Sequence, residues 1–135
     1  MGVVVDTSAL IDLERRGGDL GDLVTLAQRE RAFVATISLS ELLVGAFRAD
    51  GLARRVRRES FVEQVIEQAM IAPFDERAAR VHARMLADMT ALGQLIGAHD
   101  MLIAATALAL SCDVLTVNMR DFARVPGLIV RQPNW

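Results

Sequence analysis

Strand-like and helix-like segments alternate along this chain, and that alternation predicts an α/β domain. The expected architecture is three-layered, α/β/α, around a parallel sheet of about four to five strands. Three features predict it. Gly2-Val3-Val4-Val5 is short, β-branched and uninterrupted by polar residues, as a strand buried on both faces should be. Met101-Leu102-Ile103-Ala104-Ala105 and its continuation to Leu110 form a helix too apolar to lie anywhere but inside. Between these two elements, strand and helix patterns alternate through most of the 135 residues.

The elements follow in order. The first strand ends at Asp6, and Thr7 or Ser8 is placed to cap a helix carrying Leu10, Ile11 and Leu13. Gly17-Gly18 breaks that helix. Asp19 opens a second one, with Leu20, Leu23, Val24 and Ala27 at helical spacing. Phe33 to Thr36 reads as a short strand. A third helix starts at Ser38, where Ser38-Leu39-Ser40-Glu41 fits a capping box, and continues through Phe47. After Asp50-Gly51 an Arg-rich helix covers about Leu52 to Met70. Ile71 to Phe74 is a short strand that Pro73 confines to an edge or an end. Asp75 caps a helix to Leu92, Gly93 to Gly97 form a loop, and Asp100 starts the apolar helix. Val114 to Val117 and Leu128 to Val130 are the last strands. No linker, repeat or low-complexity segment divides the chain, so residues 1–135 are expected to form one domain.

Composition narrows the chemistry. Apolar residues make up 53%, above the usual ~45–50%, which argues for a substantial core. No apolar run reaches the ~18 residues of a membrane span. Nothing resembles a secretory signal, and one cysteine cannot form an internal disulfide, so a cytoplasmic location is expected. The net charge is −2 and all 15 basic residues are Arg. Without Lys, Walker-loop and Schiff-base mechanisms are excluded. With no Tyr, one Trp and five Phe, base stacking on an aromatic platform is a poor model for nucleic-acid binding. His82, His99 and Cys112 are too dispersed for a structural zinc site. No Gly-rich fingerprint follows the first strand, and no Gly-x-Ser-x-Gly elbow exists.

Four acids stand at the edges of these elements: Asp6 after the first strand, Glu41 in the third helix, Asp100 at the apolar helix, and Asp121 after the strand Val114–Val117. In a parallel α/β sheet the carboxyl ends of the strands form the ligand crevice. Carboxylates gathered there repel one another and suit a hard divalent cation, which in turn suits phosphodiester hydrolysis. Each acid also has a structural explanation. Asp6 can cap, Glu41 can complete the capping box, and Asp100 can answer a helix dipole. Asp121 can pair with Arg120 or Arg124. Asn118 is the alternative to Asp121 as the fourth group, and Ser8, Thr7 and Thr116 offer hydroxyls. Arg48, Arg54, Arg55, Arg57 and Arg58 form a basic cluster. It is either a solvated helix face balanced by Glu59, Glu63 and Glu67, or a guide for an RNA backbone.

Four motifs carry a family resemblance. They are Val-Val-Val-Asp-Thr-Ser-Ala-Leu-Ile at the start, Ile-Ser-Leu-Ser-Glu-Leu-Leu-Val-Gly in the middle, Ala-His-Asp-Met-Leu-Ile-Ala-Ala-Thr-Ala later, and Leu-Thr-Val-Asn-Met-Arg-Asp-Phe near the end. In this order and spacing they resemble the PIN-domain ribonucleases, and among them the VapC-type toxins of bacterial toxin–antitoxin pairs. The resemblance implies a Mg²⁺-dependent endoribonuclease, with Mn²⁺ as an alternative ion. It implies that Asp6, Glu41 and Asp100 bind metal, that Asp121 or Asn118 completes the site, and that Ser8 and Thr116 are small hydroxyl positions beside it. It further implies cleavage to a 5′-phosphate and a 3′-hydroxyl, a homodimer, and a cognate antitoxin whose tail blocks the acidic pocket in a heterotetramer or larger assembly. A receiver-like phosphotransfer domain and an inactive binding module are the competing expectations. The first lacks its Lys and its second acid near Asp6; the second does not explain why the acids are retained.

Overall fold

A computed structural model describes residues 1–135 and has a five-stranded, fully parallel sheet. The strands are β1 (Gly2–Val5), β2 (Arg31–Ala35), β3 (Met70–Ala72), β4 (Asp113–Leu115) and β5 (Val130–Arg131), in the spatial order β3-β2-β1-β4-β5. β1 is central, and its three valines are wholly buried. Each valine removed from water contributes roughly 1.5–3 kcal/mol. Alternation along the pleat sends Val3 and Val5 into one core cluster and Val4 into the other. The expected layers are therefore present, and the strand count falls at the upper end of the expectation.

The helices are α1 (Thr7–Arg15), α2 (Gly21–Arg29), α3 (Thr36–Phe47), α4 (Leu52–Gln68), α5 (Glu76–Ala91), α6 (Ala98–Ala109) and the short α7 (Met119–Phe122). Leu10 and Leu13 of α1, Leu23 of α2, Leu42 of α3 and Phe61, Val62 and Val65 of α4 cover the Val3/Val5 face. Met85 and Met89 of α5 cover the other face together with α6 from Met101 to Ala107. From β1 the chain moves to β2 and β3 on one side; after α5 and α6 it returns to β4 on the other. Strand order thus reverses between β1 and β4, and ligands of parallel sheets bind at such a reversal. Gly2 is needed where β1 passes Cys112: a Cβ there would lie 2.8 Å from Cys112 Sγ. Cys112 is buried, packed as a small core residue.

Several boundaries and caps differ from the sequence expectations. The cap of α1 is Asp6 itself, whose side chain accepts from the Ser8 amide at 3.4 Å, and neither Thr7 nor Ser8 caps it. The third helix begins two residues early at Thr36, with Ala35 as a cap that makes no side-chain bond. No capping box forms there, because the side chains of Ser38 and Glu41 are both engaged by Thr7. α6 begins at Ala98, so Asp100 lies within its first turn. The last strands are shorter than expected and β5 is shifted to Val130–Arg131. Met70–Ala72 is an edge strand and stops before Pro73, as a ring without an N–H requires. Asp75 caps α5 through the Ala78 amide at 2.9 Å, as its position predicted.

Candidate active site

The carboxyl ends of β1 and β4 lie side by side, with Val5 opposite Leu115. The next residues, Asp6 and Thr116, therefore meet although 110 positions separate them. Asp6 is only 3% exposed. A carboxylate so enclosed is costly unless donors surround it, and here they do. Thr116 Oγ1 donates to Asp6 Oδ2 at 2.8 Å, and Ser8 Oγ donates to the same oxygen at 2.6 Å. The two hydroxyls stand 3.0 Å apart. Each then accepts a backbone amide, Thr116 from Asn118 at 2.9 Å and Ser8 from Val117 at 3.2 Å. The bonds from Ser8 and Thr116 all go to Oδ2, leaving Oδ1 free of protein donors.

Glu41 is brought in by α3. Thr7 Oγ1 lies 2.8 Å from Glu41 Oε1 and 2.8 Å from Ser38 Oγ. A hydroxyl has one proton and an ionised carboxylate can only accept. Thr7 therefore gives its proton to Glu41 and can receive one from Ser38, which is wholly buried. The other oxygen, Oε2, lies 3.5 Å from His99 Nδ1 of α6. The Glu41 carboxylate thus lies between α1, which hydrogen-bonds it through Thr7, and His99 of α6.

Asp100 is held differently. Burial, and after it the charges of Asp6, Glu41 and Asp121 in that order, together raise its carboxyl from the ordinary 3.8 to about 6, against an opposing effect of His99. No hydrogen-bond donor offsets this push. Four acids from four separate elements therefore share one field, as the spacing of the acids implied. Asp121 belongs to that field from α7, and Asn118 Nδ2 donates to its Oδ2 at 3.0 Å. Asn118 and Asp121 are thus hydrogen-bonded to each other rather than alternatives. The expected ion pair of Asp121 with Arg120 or Arg124 is absent; Arg124 donates instead to the Leu95 carbonyl at 3.3 Å.

Hard carboxylate oxygens, among them the free Oδ1 of Asp6 and those of the destabilised Asp100 carboxylate, are the donor set a divalent cation such as Mg²⁺ or Mn²⁺ fits. No Arg is paired with Asp6, Asp100 or Asp121 to neutralise them. As the side chains stand, no three of these groups form a ready-made cage. The edge is an anionic field into which side chains must draw together, rather than a rigid chelate. Thr7 and Ser38 were not singled out as holding Glu41 by the spacing of the sequence, which pointed instead to a capping box.

Comparison with known proteins gives a consistent picture. The PIN domain family matches residues 3–128. The chain is 37% identical over 132 residues to ribonuclease VapC1 of Rickettsia felis, covering 96% of this chain and 95% of that protein. It is 30% identical over 105 residues to the tRNA(fMet)-specific endonuclease VapC of Salmonella typhimurium, covering 78% and 76%. Its fold is similar to that of a chain in the crystal structure of VapBC2 from Rickettsia felis bound to a promoter DNA fragment, with TM-score 0.88, 22% identity and coverage of 99% and 100%.

Proposed function

The chain belongs to the PIN-domain family, and on that premise we propose that it is a metal-dependent endoribonuclease and the toxin of a toxin–antitoxin pair. The observation that carries the reading is the field at the β1–β4 reversal. Asp6, Glu41 and Asp121 all act on Asp100; no Arg pairs with Asp6, Asp100 or Asp121, and His99 opposes the field only in part. The names of the relatives support the substrate class, since they are ribonucleases and one is specific for an initiator transfer RNA.

In this reading Asp6, Asp100 and Glu41 hold Mg²⁺ or Mn²⁺, with Asp121 completing the site. The ion supplies a more acidic bound water and a counter-charge for the phosphoryl oxygens. The protein's own part is positional. Ser8 and Thr116 fix the orientation of Asp6 through Oδ2 and leave Oδ1 free of their donors. Thr7 fixes Oε1 of Glu41 and His99 stands 3.5 Å from Oε2, so the carboxylate is suited to orient a water. Asn118 fixes Asp121. RNA ends carrying a 5′-phosphate and a 3′-hydroxyl are the expected products. An antitoxin partner belongs to the same proposal, supported by neighbours solved as VapBC complexes, and with it a homodimer and a larger complex with that antitoxin. No helix is long and apolar enough to cross a membrane.

Sequencing new 5′-phosphate RNA ends after brief expression, with and without the adjacent small gene's product, tests this. New ends are expected only without that product and only with intact Asp6 and Asp100. Ends that persist in an Asp6→Ala, Asp100→Ala variant would refute the assignment.

A further inference from the structure

Outside the acidic edge the most strongly charged feature is a groove of about 640 Å³ between the end of α1 and the flank of α4. Its α4 wall carries Arg54, Arg57, Arg58 and Phe61, which at offsets of 0, 3, 4 and 7 share one helix face. Its other wall is Glu14 and Arg15 with Gly17 and Gly18. We propose that this groove docks the phosphate backbone of the RNA at a distance from the acids. The proposal rests on the endoribonuclease reading and extends it.

The charges decide the matter. Arg55 is paired with Glu59 and Arg16 with Asp12, each within its own helix. Arg58 donates to the Gly45 carbonyl at 2.8 Å and ties α4 to α3. Arg15, Arg54 and Arg57 make no ion pair, are exposed, and line the same space. Four guanidiniums, Arg15, Arg54, Arg57 and Arg58, against the single lining carboxylate of Glu14 leave a local positive excess on a chain of net charge −2. Guanidinium forks match phosphate oxygens two at a time.

The lining favours a backbone over a peptide. Among the lining side chains only Val56 and Phe61 are apolar, and Phe61 is 3% exposed. A helical partner needs a row of apolar pockets, and base stacking needs an exposed ring. Neither is present, whereas a polar, cationic trough suits phosphates without regard to base. Position adds a reason. Arg15 ends the helix that Asp6 caps, and nine residues at ~1.5 Å each separate the two by about 13 Å along α1. A strand of several nucleotides spans that distance, in keeping with the ~4–16 nucleotides typical of single-strand sites. An acidic edge repels a polyanion, and a cationic hold along the same strand offsets that repulsion.

The test measures binding of a fluorescent single-stranded RNA dodecamer by anisotropy. It uses the full chain, with excess chelator to prevent cleavage, across a salt series. Arg15→Gln, Arg54→Gln and Arg57→Gln combined should weaken binding at least tenfold. The slope of log affinity against log salt should fall by about 2, since each phosphate contact on a single strand contributes ~0.7. Arg77→Gln with Arg80→Gln on α5 removes as many exposed charges less one and should leave both quantities near wild type. Equal loss in the α5 variant, or unchanged affinity and slope in the groove variant, overturns the proposal. So does a polyglutamate peptide that binds the groove in place of the RNA, which would reassign it to a protein partner. Cleavage in Mg²⁺ separates this from the parent reading. Arginine-dependent binding without cleavage removes the endoribonuclease and keeps the groove; cleavage with arginine-independent affinity does the reverse.

Discussion

Asp6 and Asp100 share one edge of the sheet, yet the two regions that present them are built on opposite principles. At the ends of β1 and β4 the carboxylate is enclosed, and one of its oxygens, Oδ2, accepts from two hydroxyls that themselves accept backbone amides. At the mouth of α6 the carboxylate is partly buried, has no donor, and is raised to about 6 by desolvation and three acidic neighbours. The first region stabilises a charge by itself. The second bears a charge that the apoprotein disfavours and a cation would favour. In the proposed reading, a cation would relieve the repulsion at Asp100, while Asp6 would supply a fixed point.

The largest effects should come from removing either acid, and the comparison predicts that stability will separate what activity does not. Asp6→Ala and Asp100→Ala should each lower RNA cleavage by more than the ~10–100-fold typical of losing an outer partner of a metal ligand. Asp6→Ala should also destabilise the metal-free protein by about 1–3 kcal/mol, because buried Thr116 loses its acceptor. Asp100→Ala should raise the melting temperature in chelator. Thermal melts that move the same way for both variants would break the distinction.

Next in size is Thr116→Val, which removes a donor from Asp6 at nearly constant volume. Mn²⁺ affinity should fall ~10–100-fold, measured by calorimetry, while Asp100→Ala melts remain as before. Smaller again is Thr7→Val, which frees Glu41 Oε1. Cleavage should drop by about tenfold and Thr7→Ser should restore it, in the range for outer partners of a site. A valine variant with full activity would show that Glu41 needs no fixing.

These predictions also mark what the sequence could and could not express. The strands, the helices, the parallel order and the acids at element edges follow from local periodicity, as in Val3–Val5 and in the helix after Asp100. The bonds that organise the site do not. Thr116 to Asp6 spans 110 positions, Thr7 to Glu41 34 and Thr7 to Ser38 31. Local spacing made Ser38 and Glu41 a capping box, because both residue types suit one; packing of α1 against α3 won instead. Likewise the sequence offers Asp6 as cap or ligand, and its geometry serves the cap through Oδ2 while leaving Oδ1 free. Asn118 and Asp121 were rivals only as long as their hydrogen bond was unknown.

The least effect is on pH dependence. A carboxyl near 6 when folded and near 3.8 when unfolded holds its proton longer in the native state. The native state then binds more protons between those values, so stability falls as pH rises from about 4 to about 6 and levels off above. In chelator, melting temperature followed across that window should show this decline, superimposed on the other carboxylates. Asp100→Ala should flatten it by one group's share; an unchanged profile would mean that Asp100 titrates as an ordinary surface acid.

Titration of the metal-free protein with Mn²⁺ at pH 7, followed by calorimetry, puts the shared-field claim to its most direct test. Saturable binding is predicted for the wild type, with binding lost in Asp6→Ala and Asp100→Ala and kept in Asp113→Asn, whose carboxylate instead faces Arg131 at 3.5 Å. Equal Mn²⁺ binding by all four proteins, or none by the wild type, would contradict it.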